Sequence, residues 1–132
     1  MIDVLIVDDH PVMRELLRQV LKTYADVLVA GEVANGEDAV TQVAVFQPAI
    51  ALVDVHLPKM SGIQTTRLIR INSPRTAVIG LTAGEPDDHD MEMIAAGASA
   101  VINKADVVGC LYPTILTTLK KSQYGDLSVP LS

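Results

Sequence analysis

Residues 4–9 read Val-Leu-Ile-Val-Asp-Asp, an unbroken apolar run that stops at two acidic residues. A short β-branched run without polar alternation is typical of a strand buried on both faces, as in a parallel sheet. The pattern recurs at residues 50–54, Ile-Ala-Leu-Val-Asp, where Pro48 precedes the run and a carboxylate again ends it. The two stretches therefore predict parallel strands that each finish in an acidic side chain.

Strand-like runs and helical spacing alternate along the rest of the chain. Strands are predicted at 4–7, 27–33, 50–53, 77–81 and 100–103, and helices at 11–24, 37–46, 63–71, around Met91, Ile94 and Ala95, and from Val108 to Lys121. The last helix has the clearest apolar periodicity, at Val108, Leu111, Tyr112, Ile115 and Leu119. Five alternations predict an α/β fold with a parallel sheet covered by helices on both faces. Right-handed crossovers bring the carboxyl ends of all strands to one edge, where such sheets bind ligands.

Length and charge restrict the class of protein. At 132 residues, 49% of them apolar, the chain is sufficient for one compact domain. The 16 acidic and 10 basic residues give a formal charge of −6, which argues against nucleic-acid or anionic-membrane binding by this domain. No apolar stretch approaches the roughly 18 residues of a membrane span, and a lone cysteine, Cys110, excludes an internal disulfide. We expect a single soluble, cytoplasmic domain.

Reactive and charged side chains lie at the ends of the predicted strands. Asp8 and Asp9 follow the first strand, Asp54 ends the third, Thr82 the fourth and Lys104 follows the fifth. Three clustered carboxylates should raise at least one pKa unless a cation intervenes, and oxygen ligands suit Mg²⁺. An ammonium and a hydroxyl nearby suit a phosphoryl group, so the set predicts a carboxylate nucleophile attacking phosphorus. Singly, each residue could be a helix cap or a surface charge; the joint placement makes the prediction.

Four segments resemble a known family: Val7–His10, the stretch Leu-Val-Asp-Val-His-Leu-Pro-Lys-Met-Ser-Gly at 52–62, Leu81–Ala83 and Asn103-Lys104. Together they resemble the receiver domain of response regulators in two-component signalling, over residues 2 to about 121. The resemblance implies a flavodoxin-like (βα)5 doubly wound sheet. It also implies that Asp54 accepts a phosphoryl group from a sensor histidine kinase, as a phosphoprotein in a phosphorelay.

The same resemblance implies roles for the neighbouring residues. Asp9, Asp54 and the backbone carbonyl of His56 would bind Mg²⁺ directly, and Asp8 through water. Thr82 and Lys104 would bind the phosphoryl oxygens and report the modification to the last helices. The domain would therefore undergo its own phosphorylation and dephosphorylation, and is otherwise expected not to be an enzyme.

Asp8-Asp9-His10-Pro11 and Lys104-Ala105 resemble the receivers of LuxR/NarL-type transcriptional regulators, which carry a C-terminal helix-turn-helix domain. Residues 1–121 would be the receiver, and 122–132 a tail or the start of a linker to an absent, DNA-binding output domain. A homodimer through the last helix-strand-helix face is a further expectation. The receiver itself is expected to bind neither nucleic acid nor membrane.

One position departs from the family. Receivers usually carry Tyr or Phe three residues before the lysine, and here that residue is Val101. Val101 is either a simple core residue or a sign that phosphorylation is coupled differently to the rest of the domain. We hypothesise that phosphorylation can occur but that its signal reaches the last helix-strand-helix face with less rotamer switching. Val101 also leaves open a degenerate receiver that acts as a phosphorylation-independent protein-interaction module.

Two other classes fit less well. A haloacid-dehalogenase phosphatase needs Asp-x-Asp, where this chain has Asp54-Val55-His56. A nucleotide-binding module would be indicated by a Walker A loop or G-x-G-x-x-G, and neither occurs in the sequence. Among the remaining side chains, His56 could approach the phosphoryl group or simply be a loop residue. His10 is predicted to be a loop residue rather than a ligand, His89 to be solvated and Cys110 to pack within the last helix.

Overall fold

The computed structural model describes residues 1–128, with side chains described as far as Ser122. Strands and helices alternate as the apolar pattern predicts, which confirms the flavodoxin-like (βα)5 α/β fold in a single domain. The elements are β1 (Ile2–Val7), α1 (Pro11–Lys22), β2 (Val27–Val33), α2 (Gly36–Phe46), β3 (Ile50–Asp54), α3 (Gly62–Asn72), β4 (Ala77–Thr82), α4 (Asp88–Ala96), β5 (Ala100–Asn103) and α5 (Val107–Ser128).

The five strands form one parallel sheet in the order β2-β1-β3-β4-β5. Because β1 lies between β2 and β3, the direction of winding reverses there, and the crevice at such a reversal is where open α/β sheets bind ligands. Asp54 pairs with Leu81, and Thr82 pairs with Asn103. The ends of β3, β4 and β5 are therefore nearly level.

The core consists of two apolar layers, one on each face of the sheet. Along β1, Val4 and Ile6 face the layer under α1 and α5, while Leu5 and Val7 face the layer under α2, α3 and α4. All four side chains are fully buried. The unbroken apolar run that predicted this strand is thus explained by burial on both sides.

In two helices, the residues that are buried differ from those that the apolar spacing indicated. In α4, Met91 and Ile94 are 75% and 50% exposed, and Met93 and Ala96 are the buried residues, of which Met93 belongs to the core layer against the sheet. In α5, Val108 is 67% exposed and Val107 is buried. A 3₁₀ turn over Lys104–Asp106 leads directly into α5, and this entry places Val107 rather than Val108 toward the core.

The last helix also runs further than predicted. It continues to Ser128 instead of ending at Lys121, since a formed helix adds residues cheaply and no proline lies between Lys121 and Ser128, although the helix already contains Pro113. The last four residues of the predicted tail, 129–132, lie outside the described residues. Cys110 is exposed on α5, so the prediction that it packs is wrong. Over residues 1–128, no helix combines the length and apolar character needed to cross a bilayer.

Candidate functional site

Asp8 and Asp54 lie side by side at the carboxyl edge of the sheet because β1 and β3 are neighbours. Both side chains are buried, and Asp9 remains partly exposed. The backbone N–H of His10 donates to Asp8 Oδ1 at 2.8 Å, and that of His56 donates to Asp54 Oδ1 at 3.0 Å. Backbone groups of the following loops thus hold one oxygen of each buried carboxylate.

Lys104 neutralises part of this acidic edge. Its Nζ lies 2.9 Å from Asp8 Oδ2 and 3.1 Å from Asp54 Oδ2. Burial acts to lower the pKa of Lys104, but the hydrogen bond to Asp8 and the charges of Asp54 and Asp8 outweigh it, so the net pKa is raised. The ammonium therefore stays charged between two carboxylates that would otherwise repel each other.

Asp54 has a raised pKa, chiefly because burial disfavours its ionised form. The His56 N–H and Lys104 oppose this shift, and the charge of Asp8 adds to it. A carboxylate that is buried, raised in pKa and placed in a crevice is a candidate for chemistry rather than for structure alone.

The acidic cluster also fits a hard divalent cation. Asp8, Asp9 and Asp54 offer carboxylate oxygens within 4.8 Å of one another. Asp9 Oδ1 is buried and has no hydrogen-bond partner, and the buried Asp8 Oδ2 contacts only the Lys104 ammonium, at 2.9 Å. An unsatisfied buried oxygen such as Asp9 Oδ1 suits Mg²⁺, which takes a few carboxylates together with water.

Thr82 lies at the end of β4, one strand away from Asp54. Its side chain is buried, and its hydroxyl has no hydrogen-bond partner in the structure. Lys104 directly follows Asn103, the residue that pairs with Thr82. The structure therefore brings the residues predicted from the strand ends, Asp8, Asp9, Asp54, Thr82 and Lys104, to one edge of the sheet.

The three histidines all lie at or beside this edge of the sheet, and their side chains differ in what they contact. His10 lies in the loop before α1, as predicted, and was not expected to be a metal ligand; its Nδ1 is 3.0 Å from Asp8 Oδ1 and 3.3 Å from Asp9 Oδ1. The His56 side chain is exposed and packs edge-on against His89, so only its backbone touches Asp54. His89 is exposed, as predicted, but it also contacts Asp87.

Sequence reasoning missed three supporting residues. Asn103 donates from Nδ2 to the carbonyl of Gly84 at 2.6 Å and accepts from Ala105 N–H at 2.9 Å, which ties the end of β5 to the loop after β4. Arg14 donates to the Asp8 carbonyl at 2.6 Å. Gly62 lies so close to the end of β3 that a Cβ there would be 2.1 Å from the Asp54 carbonyl oxygen. Of these three residues, only Gly62 could have been recognised from the sequence, as a small residue that follows Ser61 and begins a helix.

Val101 is partly buried and packs against the core layer that contains Met93. Its Cγ2 lies beside Gly80 on the neighbouring strand β4. The position thus belongs to the sheet face covered by α4, and its side chain is branched aliphatic rather than aromatic.

The fold and this acidic edge define a doubly wound α/β domain with a candidate phosphoryl and metal site. The family model for the response regulator receiver domain matches residues 4–108, so the chain belongs to the response regulator receiver family. The receiver of Thermotoga maritima CheB is similar in structure, with a TM-score of 0.84 and 25% identity over 91% of this chain and 97% of that one.

Curated relatives fall into two kinds. The chain is 37% identical over 109 residues to a protein-glutamate methylesterase/protein-glutamine glutaminase of Syntrophus aciditrophicus, covering 81% of this chain and 31% of that protein. It is 30% identical over 104 residues to the response regulator GacA of Pseudomonas protegens, covering 79% and 49% respectively. The chain thus spans about a third to a half of these relatives.

These relatives correct one expectation. The prediction that the chain is not an enzyme, apart from its own phosphorylation, is wrong as a description of its class, since several similar proteins are named as methylesterases and glutaminases. The matched part of this chain is the receiver. Receivers of this kind occur in enzymes as well as in regulators, and the receiver motifs alone do not distinguish the two.

Proposed function

We propose that this domain is a phosphorylation-dependent signalling switch in which Asp54 accepts a phosphoryl group from the phosphohistidine of a sensor histidine kinase. The observation that carries the proposal is the buried Asp54 carboxylate, held by the His56 N–H and Lys104 at the sheet edge of a receiver-family domain. The unpartnered hydroxyl of Thr82 on the next strand supports it.

The transfer makes one bond and breaks another. A carboxylate oxygen of Asp54 forms an O–P bond as the P–N bond to the donor imidazole breaks, and the imidazole nitrogen keeps the bonding electron pair. Lys104 then pairs with a phosphoryl oxygen, and the Thr82 hydroxyl donates to another. Lys104 thus exchanges an ion pair with Asp54 for one with the phosphoryl group.

We propose Mg²⁺ as the cofactor, held by Asp9, Asp54 and the His56 carbonyl, with Asp8 acting through water. When bound, the ion neutralises charge on the transferring phosphoryl group. The protein's own part is to keep the acidic oxygens together, and the buried Asp9 Oδ1, which has no hydrogen-bond partner, supports this assignment. The His10 ring, which lies among these oxygens, would move aside.

We further propose that the switch acts in the cytoplasm and controls an output domain that binds DNA, as a LuxR/NarL-type regulator of transcription. Similarity to GacA supports this class. Residues 122–132, of which 122–128 continue α5, would begin the linker after a receiver at 1–121. Similarity to methylesterases supports an enzymatic output as a second candidate. The receiver would dimerise through α4, β5 and α5 on phosphorylation.

Incubation with acetyl phosphate and Mg²⁺, followed by intact-mass measurement, tests the switch. We expect one phosphoryl adduct on the wild type, none on Asp54→Ala, and an unchanged adduct on Asp106→Ala, which removes an exposed carboxylate instead. Removing Mg²⁺ with a chelator should abolish the adduct, and Mg²⁺ should raise the thermal midpoint of the wild type.

Two results would replace the proposal. A wild type that gains no adduct from acetyl phosphate, phosphoramidate or a phosphorylated kinase would be the degenerate, protein-interaction receiver. Rapid turnover of many phosphate esters would indicate a phosphatase. An adduct that persists in Asp54→Ala would assign the acceptor to another residue.

A further inference from the structure

A second group of ligand atoms lies beside the acidic cluster and outside it. The loop after β3 and the start of α4 bring together His56, Asp87 and His89, whose ligand atoms lie within 4.8 Å of one another. The set contains two imidazoles and one carboxylate, whereas the acidic edge offers mainly carboxylate oxygens. Imidazole nitrogen favours zinc-class transition metals, and carboxylate oxygen alone favours magnesium.

Two of the three ligands are already spaced for a metal ion. Ligands about 2.0–2.1 Å from a tetrahedral Zn²⁺ lie roughly 3.3–3.4 Å apart. His89 Nδ1 is 3.3 Å from Asp87 Oδ1. The His56 ring stands edge-on to His89, with centroids 4.9 Å apart and planes at 72°. A small rotation of the exposed His56 side chain would complete a three-residue site.

The backbone under this group is held in place. Asp87 caps α4 and accepts the backbone N–H of His89 at 2.9 Å, so the two side chains share one turn. Asn103 fixes the same loop through the Gly84 carbonyl. The Asp87 and His89 side chains are 48% and 46% exposed, which leaves room for a metal and its water ligands.

We propose that His56, Asp87 and His89 form a binding site for a zinc-class divalent transition metal, separate from the Mg²⁺ site. Three protein ligands with an open position match zinc sites that keep water as the fourth ligand. The ion would join the loop after β3 to the first turn of α4. Because the backbone N–H of His56 holds Asp54, the site adjoins the phosphoacceptor.

Titration calorimetry with Zn²⁺ tests the site on the untagged full chain, with millimolar Mg²⁺ present to occupy the acidic edge. We expect one Zn²⁺ per chain in the wild type, and binding weakened at least about tenfold in His56→Ala and His89→Ala. Asp87→Asn keeps the helix cap but removes the carboxylate, so it should also weaken binding. His10→Ala is the matched control and should bind as the wild type does.

The histidine ring signals in NMR spectra provide a second readout. Zn²⁺ should shift the His56 and His89 rings and leave His10 unchanged. All the substituted histidines are exposed, and circular dichroism would verify that the variants fold. No Zn²⁺ binding by the wild type would overturn the proposal. So would loss of binding in His10→Ala together with retention in His56→Ala and His89→Ala, which would assign Zn²⁺ to the acidic edge.

Discussion

Asp54 is the residue at which burial and charge oppose each other most directly. Its folded-state pKa lies above the ordinary value of 3.8, mainly through burial, with Asp8 adding to the shift and His56 and Lys104 opposing it. A raised carboxyl pKa contributes stability at pH values below the unfolded pKa, and that stability is lost as pH rises through the folded pKa. At neutral pH, the ionised side chain therefore destabilises the metal-free fold.

Asp54→Asn should accordingly make the metal-free protein more stable at pH 7. The amide keeps an acceptor for the His56 N–H while removing the buried charge, and we expect a gain on the order of 1 kcal/mol. Urea unfolding at pH 7 and near pH 4 measures it, and the advantage over the wild type should shrink at the lower pH. A variant that is less stable than the wild type at pH 7 would contradict this reasoning.

A site residue could be predicted from the sequence when it lies at the end of a strand. Asp54, Thr82 and Lys104 could be placed because a strand end fixes where a residue lies, whatever its side chain does. His10 and Asn103 could not, because their roles depend on a rotamer choice and on contacts with loops distant in sequence. Periodicity carries no information about either.

At the scale of elements, the approach of α3 to β3 depends on Gly62. A Cβ there would lie 2.1 Å from the Asp54 carbonyl oxygen and 2.7 Å from Val55 Cα, and neither backbone atom can move alone. The same glycine donates its N–H to the Val55 carbonyl at 3.0 Å. The loop that carries His56 is therefore closed by a glycine.

Gly62→Ala should destabilise the fold by about 1–3 kcal/mol through this steric overlap and slow phosphorylation of Asp54. Gly109→Ala is the matched control, because a Cβ at this position of α5 meets no atom within 4 Å. Alanine there should be neutral or stabilising by up to about 1 kcal/mol. Thermal unfolding of the two variants beside the wild type checks both signs, and equal midpoints would refute the steric explanation.

Helix α5 is joined to the loop after α1 by an aromatic and polar contact. Tyr112 stacks on Tyr24 with ring centroids 3.7 Å apart, and its hydroxyl donates to Asp26 at 2.8 and 3.0 Å. The hydrogen bond to Asp26 is the main reason why the pKa of Tyr112 is raised above 10.0.

This contact predicts an alkaline pH dependence. The raised pKa means that the protonated phenol is favoured in the fold, so its stabilisation is present below pH 10 and lost as pH rises through the folded pKa. Asp26→Asn should lower the Tyr112 pKa toward its ordinary value, as measured by NMR titration of the ring. Tyr112→Phe, which keeps the stack, should be slightly less stable than the wild type below pH 10 and should lose that difference above it.

Element types could be predicted from sequence more fully than helix faces. Buried strands leave little choice, since nearly every side chain is apolar, and β3 and β4 were placed almost to the residue. A half-exposed helix such as α4 presents apolar residues on both sides, so spacing alone could not separate Met93 from Met91. Contact with the sheet decides between them.

At the scale of the whole molecule, Val101 lies on β5, where it packs on the sheet face covered by α4 and beside Gly80 of β4. The branched Cβ of valine restricts its χ1 angle, and valine has no ring to swing between two positions. We expect a phosphoryl mimic to shift the NMR signals of this face less in the wild type than in Val101→Tyr. A full two-state change in the wild type would argue against altered coupling.

The strand order has a consequence for how the chain is made. Strand β1 is the first of the five strands to be synthesised, and one of its two partners is β3, so one edge of Val4–Val7 stays unpaired until residue 54 has emerged. Until then the nascent chain presents an apolar segment with an open edge, the kind of surface that chaperones and other nascent chains bind. The strand that brings Asp8 to the carboxyl edge of the finished sheet thus also has an edge that is open to misassembly at the ribosome.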